Sequence, residues 1–193
     1  ISGYGQTGPY APRPGFASVC EGFGGFRYVN GFPGQPSVRP NLSIGDTLAG
    51  IHAALGILLA YIGRSRDASG QGQVVDVAIF EAIYNLMESM VPEYDGLGLV
   101  REPSGSTLTG IVPSNIYPTA DGKTIIIGAN TNPMFARLCE LMGNAGMAQD
   151  PRYVENVNRV EHQQELDGLI GAWTGSMPQA EVLEKLSVGF EKY

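Results

Sequence analysis

The chain has 193 residues, 43% of them hydrophobic and 16% charged, so it can bury a sizeable core as one large domain or two small ones. Its net charge of −7, with basic residues scattered and never gathered into a stripe, argues against a nucleic-acid partner. No stretch resembles a signal peptide, and no apolar run is expected to be long and uncharged enough to span a membrane.

Residues 1–45 are dense in glycine and proline, yet aromatic and apolar side chains are interleaved throughout. That mixture predicts ordered loops with a short helix near residues 16–22, the kind of loop that carries function on a rigid scaffold. A long helix is predicted over residues 46–64. Leu48, Ile51, Ala54, Leu55, Leu58, Leu59 and Ile62 spread apolar surface over nearly every face, which implies burial. Gly50, Ala53, Ala54 and Gly56 would let another backbone come close, and the charged run at 64–67 ends the helix in solvent.

Gly70-Gln71-Gly72-Gln73 then turns the chain into Val74-Val75-Asp76-Val77-Ala78, a short strand by its β-branched content. A second helix is predicted over residues 79–90, with Ile79, Ala82, Ile83, Leu86, Met87 and Met90 as its core-facing stripe. Residues 93–112 read as a polar, glycine-containing linker. Beyond it, two β-prone runs flank Ala120-Asp121-Gly122-Lys123, and an Asp-Gly pair in that setting predicts a hairpin. Helices are predicted at 132–142, 162–174 and 178–186, with Asp150-Pro151 breaking the chain between the first two. The pattern is an α/β piece joined to a small α+β domain.

Few residues offer chemistry. Cys20 and Cys139 match no metal-ligand spacing and read as reduced thiols of a cytoplasmic protein. His52 and His162 are too few for a histidine-rich metal site, so zinc chemistry is not expected. His52 lies six positions after Asp46, on nearly the opposite azimuth of one helix, and reads as structural. Asp76 and Glu81 read as a strand-end polar contact and a first-turn carboxylate. Gly3, Gly5 and Gly8 are turn residues rather than a phosphate cradle, since no P-loop lysine follows. Asp46, in Ile44-Gly45-Asp46-Thr47, stands at the mouth of the long helix. It is either a helix cap or a nucleophile at the edge of a buried site, and the residue alone favours the cap. Phe16 is a core aromatic or a wall of that site, and Gln6 fixes its loop or reaches toward a ligand.

Four blocks in order resemble one family. They are Ile1-Ser2-Gly3-Tyr4-Gly5-Gln6-Thr7-Gly8-Pro9-Tyr10 leading to Arg13-Pro14-Gly15-Phe16, Ile44-Gly45-Asp46-Thr47-Leu48-Ala49-Gly50, Gly70-Gln71-Gly72-Gln73-Val74-Val75-Asp76-Val77-Ala78, and Val112-Pro113-Ser114-Asn115 through Asp121-Gly122-Lys123. Together they are similar to the class III acyl-CoA transferases of the formyl-CoA transferase (CaiB/BaiF) type, and the resemblance covers essentially the whole chain.

The resemblance implies an α/β fold, part of a Rossmann-like large domain plus a smaller α+β domain, within a two-domain enzyme of interlocked dimers. Residues 1–98 would belong to the large domain, 99–112 to a linker and 113–193 to an incomplete small domain. It implies a CoA-transferase that moves CoA from an acyl-CoA donor to a carboxylic acid through an aspartyl-CoA thioester on Asp46. Phe16, Gln6 and Gly45 would contact CoA, and Ser114, Asn115 and Tyr117 the acceptor acid. No metal and no tightly bound cofactor are implied; coenzyme A enters as acyl-CoA substrate. Partners would be acyl-CoA, a small acid and a second copy of the chain, with no nucleic acid and no membrane.

Family members are considerably longer, and their N-terminal part supplies most of the CoA pocket, so this stretch reads as an internal fragment expected to be inactive alone. Racemases of the family carry a histidine where Phe16 stands, and Phe16 cannot move a proton. An acyl-CoA racemase or epimerase is therefore the second reading, and a non-catalytic assembly module is the third. The glycine-run loop of formyl-CoA transferases has no counterpart in residues 93–112.

Overall fold

The computed structural model describes residues 1–190, the side chain of Phe190 aside. They form two compact units, Ile1–Gly105 and the described residues from Ser106 onward.

The first unit is helical. Helix α1 (Ala17–Phe23) and the single turn α2 (Phe26–Val29) follow the entry loop; then come α3 (Ile44–Arg66), α4 (Ile79–Asn85) and α5 (Met90–Leu97). Cys20 of α1, Ala49 of α3, and Ile79 and Ala82 of α4 bury one another, flanked by Tyr4, Leu48, Val77 and Phe80. Small residues make this packing close. A Cβ on Gly24 would fall 2.5 Å from Ile83 Cγ2, so glycine is what lets the end of α1 lie on α4.

The glycine-rich opening is ordered by the same logic. Tyr4, Tyr10, Phe23 and Phe80 form an aromatic cluster with ring centroids 5.1 to 5.9 Å apart, tying the loop to α1 and α4. Arg13 caps the cluster with its guanidinium 4.2 Å from the Tyr10 ring.

Three expectations for this unit are corrected. Residues 74–78 are extended but form no strand. Their one pairing is a parallel bridge between Ser2 and Ala78, because among the described residues no neighbouring strand completes a ladder. The predicted second helix stops at Asn85, and the stretch expected to be linker holds most of α5, which Gly98 ends in a left-handed cap at φ 67°.

The third correction concerns α3. It begins two residues earlier than expected and is not buried: only Gly45 and Ala49 are, while Leu55 is 54%, Ile57 61% and Leu59 67% exposed. By length and composition it is also long and apolar enough to cross a membrane, contrary to the sequence expectation. A core helix of a larger protein meets the same test.

The second unit is α+β. Strands β1 (Ser114–Pro118) and β2 (Thr124–Gly128) pair antiparallel, Ser114 with Gly128 and Pro118 with Thr124, across the expected Asp-Gly turn. Gly122 takes φ 73° there, a conformation that glycine adopts without cost. Helices α6 (Asn132–Leu141), α7 (Asn156–Glu161), α8 (Gln163–Gly175) and α9 (Gln179–Phe190) cover one face of the hairpin, with a 3₁₀ turn at Ala145–Gln149. Alternation decides which face: Ile125 and Ile127 are buried, and Ile126 between them is exposed. Thr131 caps α6, its Oγ1 accepting from Met134 N–H at 3.4 Å, and Phe135, Leu138 and Cys139 form the buried stripe.

Candidate active site

Asp46 occupies the third position of α3, within the first turn rather than at the cap. The cap is Ser43, whose side chain makes no capping bond. Asp46 is exposed, and among the described residues its carboxylate accepts no hydrogen bond. The sequence expectation set it at the edge of a buried site; among the described residues nothing roofs it. A carboxylate in the first turn still lies in the favourable field of the helix N-terminus.

The floor beneath Asp46 is tightly built. Gly45 is buried, and a Cβ there would lie 3.0 Å from Ile79 Cγ2 and 3.4 Å from the Cβ of Ala17. Helices α1, α3 and α4 therefore converge on the residue just before Asp46, and glycine is what the convergence requires. The Gly45 N–H donates to Oε1 of Glu21 at 3.4 Å. Glu21 has no exposed surface. Its Oε2 lies 3.5 Å from Arg39 Nε and 3.9 Å from Arg27 Nη1. Cys20 completes the floor, its thiol donating to the Gly3 carbonyl at 3.4 Å. Burial raises the Cys20 pKa, and the negative charges of Asp46 and Glu21 push it the same way. Cys20 is thus a neutral packing group.

Of the other expected CoA contacts, Phe16 adjoins this floor through α1. Phe16 is the residue before α1, in extended conformation and 78% exposed, with α1 running on from it to Cys20 and Glu21. Its ring is therefore not a core aromatic. Gln6 is exposed, and its backbone N–H donates to Asp76 Oδ2 at 2.8 Å, which gives Asp76 the expected structural task. Glu81 falls in the first turn of α4. His52 turns away from Asp46. Its Nδ1 faces the Leu48 carbonyl at 2.8 Å and must carry the proton, since a carbonyl only accepts, and its Nε2 accepts from Asn85 Nδ2 at 3.1 Å.

Ser114, Asn115 and Tyr117 stand on β1 in the second unit. Tyr117 is buried, and its hydroxyl donates to Asp167 Oδ1; Asn115 Nδ2 donates to Asp167 Oδ2 at 3.0 Å. Burial raises the Tyr117 pKa, and the Asp167 carboxylate raises it further. These two side chains are engaged in an internal network, while Ser114 is half-buried at the start of the strand. Among the described residues no group of three or more histidine, cysteine or acidic side chains is placed to hold a metal.

Sequence reasoning missed Glu21, Arg27 and Arg39. One signal was available: an acidic residue between Cys20 and Gly22, inside a short run of small and apolar residues where a charge has no surface to occupy.

Comparison with known proteins bears on this arrangement. The model of CoA-transferase family III matches residues 1–189. The succinyl-CoA–D-citramalate CoA-transferase of Chloroflexus aurantiacus is 53% identical over 174 residues, which is 90% of this chain and 43% of that protein. The alpha subunit of the succinyl-CoA–L-malate CoA-transferase of Chloroflexus aurantiacus is 36% identical over 96% of this chain and 43% of its own length. Among solved structures, a CaiB/BaiF family protein from Brucella suis superposes with a TM-score of 0.76 at 28% identity, covering 98% of this chain and 50% of that one. The chain thus spans about half, or somewhat less, of the proteins it matches.

Proposed function

The chain belongs to CoA-transferase family III, and from that premise we propose that it carries the nucleophile of an enzyme moving CoA from an acyl-CoA donor to a carboxylic acid. The observation that carries the reading is Asp46 itself: a carboxylate on the first turn of a long helix, exposed and engaged by no hydrogen bond among the described residues. A capping or structural aspartate would have its oxygens occupied.

The chemistry follows from that residue. An Asp46 oxygen attacks the thioester carbonyl, the C–S bond breaks, and a mixed anhydride forms with release of CoA thiolate. The thiolate attacks the Asp46 carbonyl carbon and expels the donor's carboxylate, leaving an aspartyl-CoA thioester. The acceptor carboxylate then displaces the thiolate to give a second anhydride. The thiolate attacks the acceptor's acyl carbon, which yields the new acyl-CoA and returns Asp46. Backbone N–H groups at the start of α3 steady the charge that develops at the attacked carbonyl. Anhydrides require exclusion of water. In this proposal the missing roof over Asp46 comes from the part of the relatives' length that this chain does not span.

Phe16, Gln6 and Gly45 are the proposed CoA contacts, with Phe16 offering an exposed aromatic face. Ser114 is the acceptor contact retained on β1, and Asn115 and Tyr117 support it through Asp167. The activities of the relatives, on citramalate and malate with succinyl-CoA, point to small dicarboxylic acids as acceptors. A homodimer and a cytoplasmic setting belong to the same proposal. The dimer supplies a cover for the bare apolar flank of α3, and two buried free thiols suit a reducing compartment.

Trapping tests the reading. An enzyme of the relatives' full length carrying this segment is mixed with succinyl-CoA and hydroxylamine, and mass spectrometry is expected to find a hydroxamate on Asp46. Full turnover by Asp46→Ala would end the proposal. Exchange of deuterium into the acyl α-carbon would instead favour a racemase, for which Phe16 offers no proton-carrying group.

A further inference from the structure

Among the described residues Glu21 is the one carboxylate side chain with no exposed surface. A buried charge is costly, and an apolar side chain between α1 and α3 would fill the same space with less penalty. Arg39 and Arg27 offset the charge at 3.5 and 3.9 Å, but neither forms a hydrogen bond to it, and Oε2 has no hydrogen-bond partner. What Glu21 does engage is the N–H of Gly45, the residue before Asp46.

That contact has a chemical consequence. The first amides of a helix have no partner within it and draw any nearby acceptor. Left open, the Gly45 amide competes for the carboxylate one residue on, and a carboxylate held against its own helix end cannot approach a thioester. With Glu21 in place the amide is occupied, and among the described residues Asp46 accepts no hydrogen bond. Gly45 is also gripped by Ile79 and Ala17, so the first turn of α3 has little freedom to rotate.

We propose that Glu21 is a positioning residue for the reaction at Asp46: it occupies the Gly45 amide and fixes the first turn of α3, keeping the nucleophile unengaged and aimed outward. Arg27 and Arg39 face Glu21 in its buried place, at 3.9 and 3.5 Å. This inference rests on Asp46 being the nucleophile.

The test uses an enzyme of the relatives' full length carrying this segment, with Glu21→Leu, Glu21→Met and Glu21→Gln beside Asp46→Ala. Leucine and methionine fill the space but leave the amide open; glutamine keeps an accepting oxygen. The expected result is a kcat about 10- to 100-fold lower for the first two, with KM for succinyl-CoA within about 2-fold, the cost of a misaimed reacting group. Hydroxamate formation on Asp46 falls in parallel, and Glu21→Gln recovers to within about 5-fold of the parent, since it keeps the bond to the amide.

Parent-like kcat and trapping rate in Glu21→Leu, with Asp46→Ala inactive, would overturn the positioning role alone. Full activity in Asp46→Ala would instead remove the nucleophile reading itself. If neither apolar variant folds while Glu21→Gln is fully active, Glu21 serves stability only and the proposal falls.

Discussion

Gly3 and Gly15 cross so closely that a Cβ on Gly3 would lie 2.6 Å from the Gly15 Cα, and one on Gly15 would lie 2.9 Å from the Gly3 Cα. Backbone stands against backbone at this crossing, and a Cβ on Gly15 would also meet Tyr4 Cε2 at 2.9 Å. It locks the opening loop onto the residue before Phe16.

Gly3→Ala and Gly15→Ala are therefore expected to destabilise the first unit by about 2 kcal/mol or more, the cost of forced overpacking. Gly22→Ala is the matched control. It lies in α1 with nothing within 4 Å of its Cβ position, so it should be neutral or stabilising by up to about 1 kcal/mol. Thermal unfolding followed by circular dichroism separates the two outcomes. Equal midpoints for all three variants would contradict the crossing.

Asp46→Ala should leave folding almost untouched while removing turnover. The carboxylate accepts no hydrogen bond among the described residues, so its loss costs only the interaction with the helix end, about 0.3–1 kcal/mol. If Asp46 is the nucleophile proposed above, its loss is expected to lower kcat by about 10³-fold or more. A large fall in the denaturation midpoint would reassign Asp46 to structure.

Arg159 should prove the most sensitive position of the second unit. It has no exposed surface, and it donates to the carbonyls of Val112, Tyr153 and Asn130 at 2.9, 2.8 and 2.7 Å and to Asn132 Oδ1 at 3.0 Å. Its guanidinium carbon also stands 4.7 Å from the Phe135 ring centroid. Burial lowers its pKa, yet an arginine starts so high that it stays charged. Arg159→Ala strands several buried acceptors at once and is expected to cost about 3–5 kcal/mol by urea denaturation. Lysine should restore little, because one ammonium cannot span the fork.

Acid should loosen the hairpin turn through Asp121. Its Oδ1 accepts from the Thr119 hydroxyl at 2.7 Å and from Gln179 N–H at 3.1 Å, and Lys123 Nζ stands 3.0 Å from Oδ2. The Thr119 hydrogen bond, then Lys123 and the Gln179 amide, hold its pKa well below the usual carboxylate range. A depressed folded-state pKa adds stability that is full above the ordinary aspartate value of about 4 and fades as pH falls toward the folded value. Asp121→Asn should flatten that acid limb in a pH series of melts, lying close to the parent in acid and below it at neutral pH, where the parent keeps the carboxylate's contribution.

Legibility from sequence followed the range of the forces involved. The hairpin was readable because Asp121-Gly122 chooses its turn locally, and the helix expected at 132–142 is α6, Asn132–Leu141. Residues 74–78 misled because β-branched side chains state a preference that only a neighbouring strand can satisfy. The burial of α3 misled for a related reason: an apolar surface declares a need for cover without showing what supplies it. Asp46 was singled out through the Gly-Asp block at the helix mouth, and its role stays a proposal. Glu21 stayed hidden because its partner lies 24 residues away, a distance that no local pattern spans.

A helix of 23 residues is about 34 Å long at 1.5 Å per residue. Asp46 rides on its first turn, while Leu55, Leu58 and Tyr61 stand bare farther along the same rod. Whatever body grips that far shaft also sets the bearing of the carboxylate at its tip. Under the proposed function, subunit union and thioester exchange would share a single lever, and a wedge driven in beside Leu58 should be felt at Asp46 without touching it.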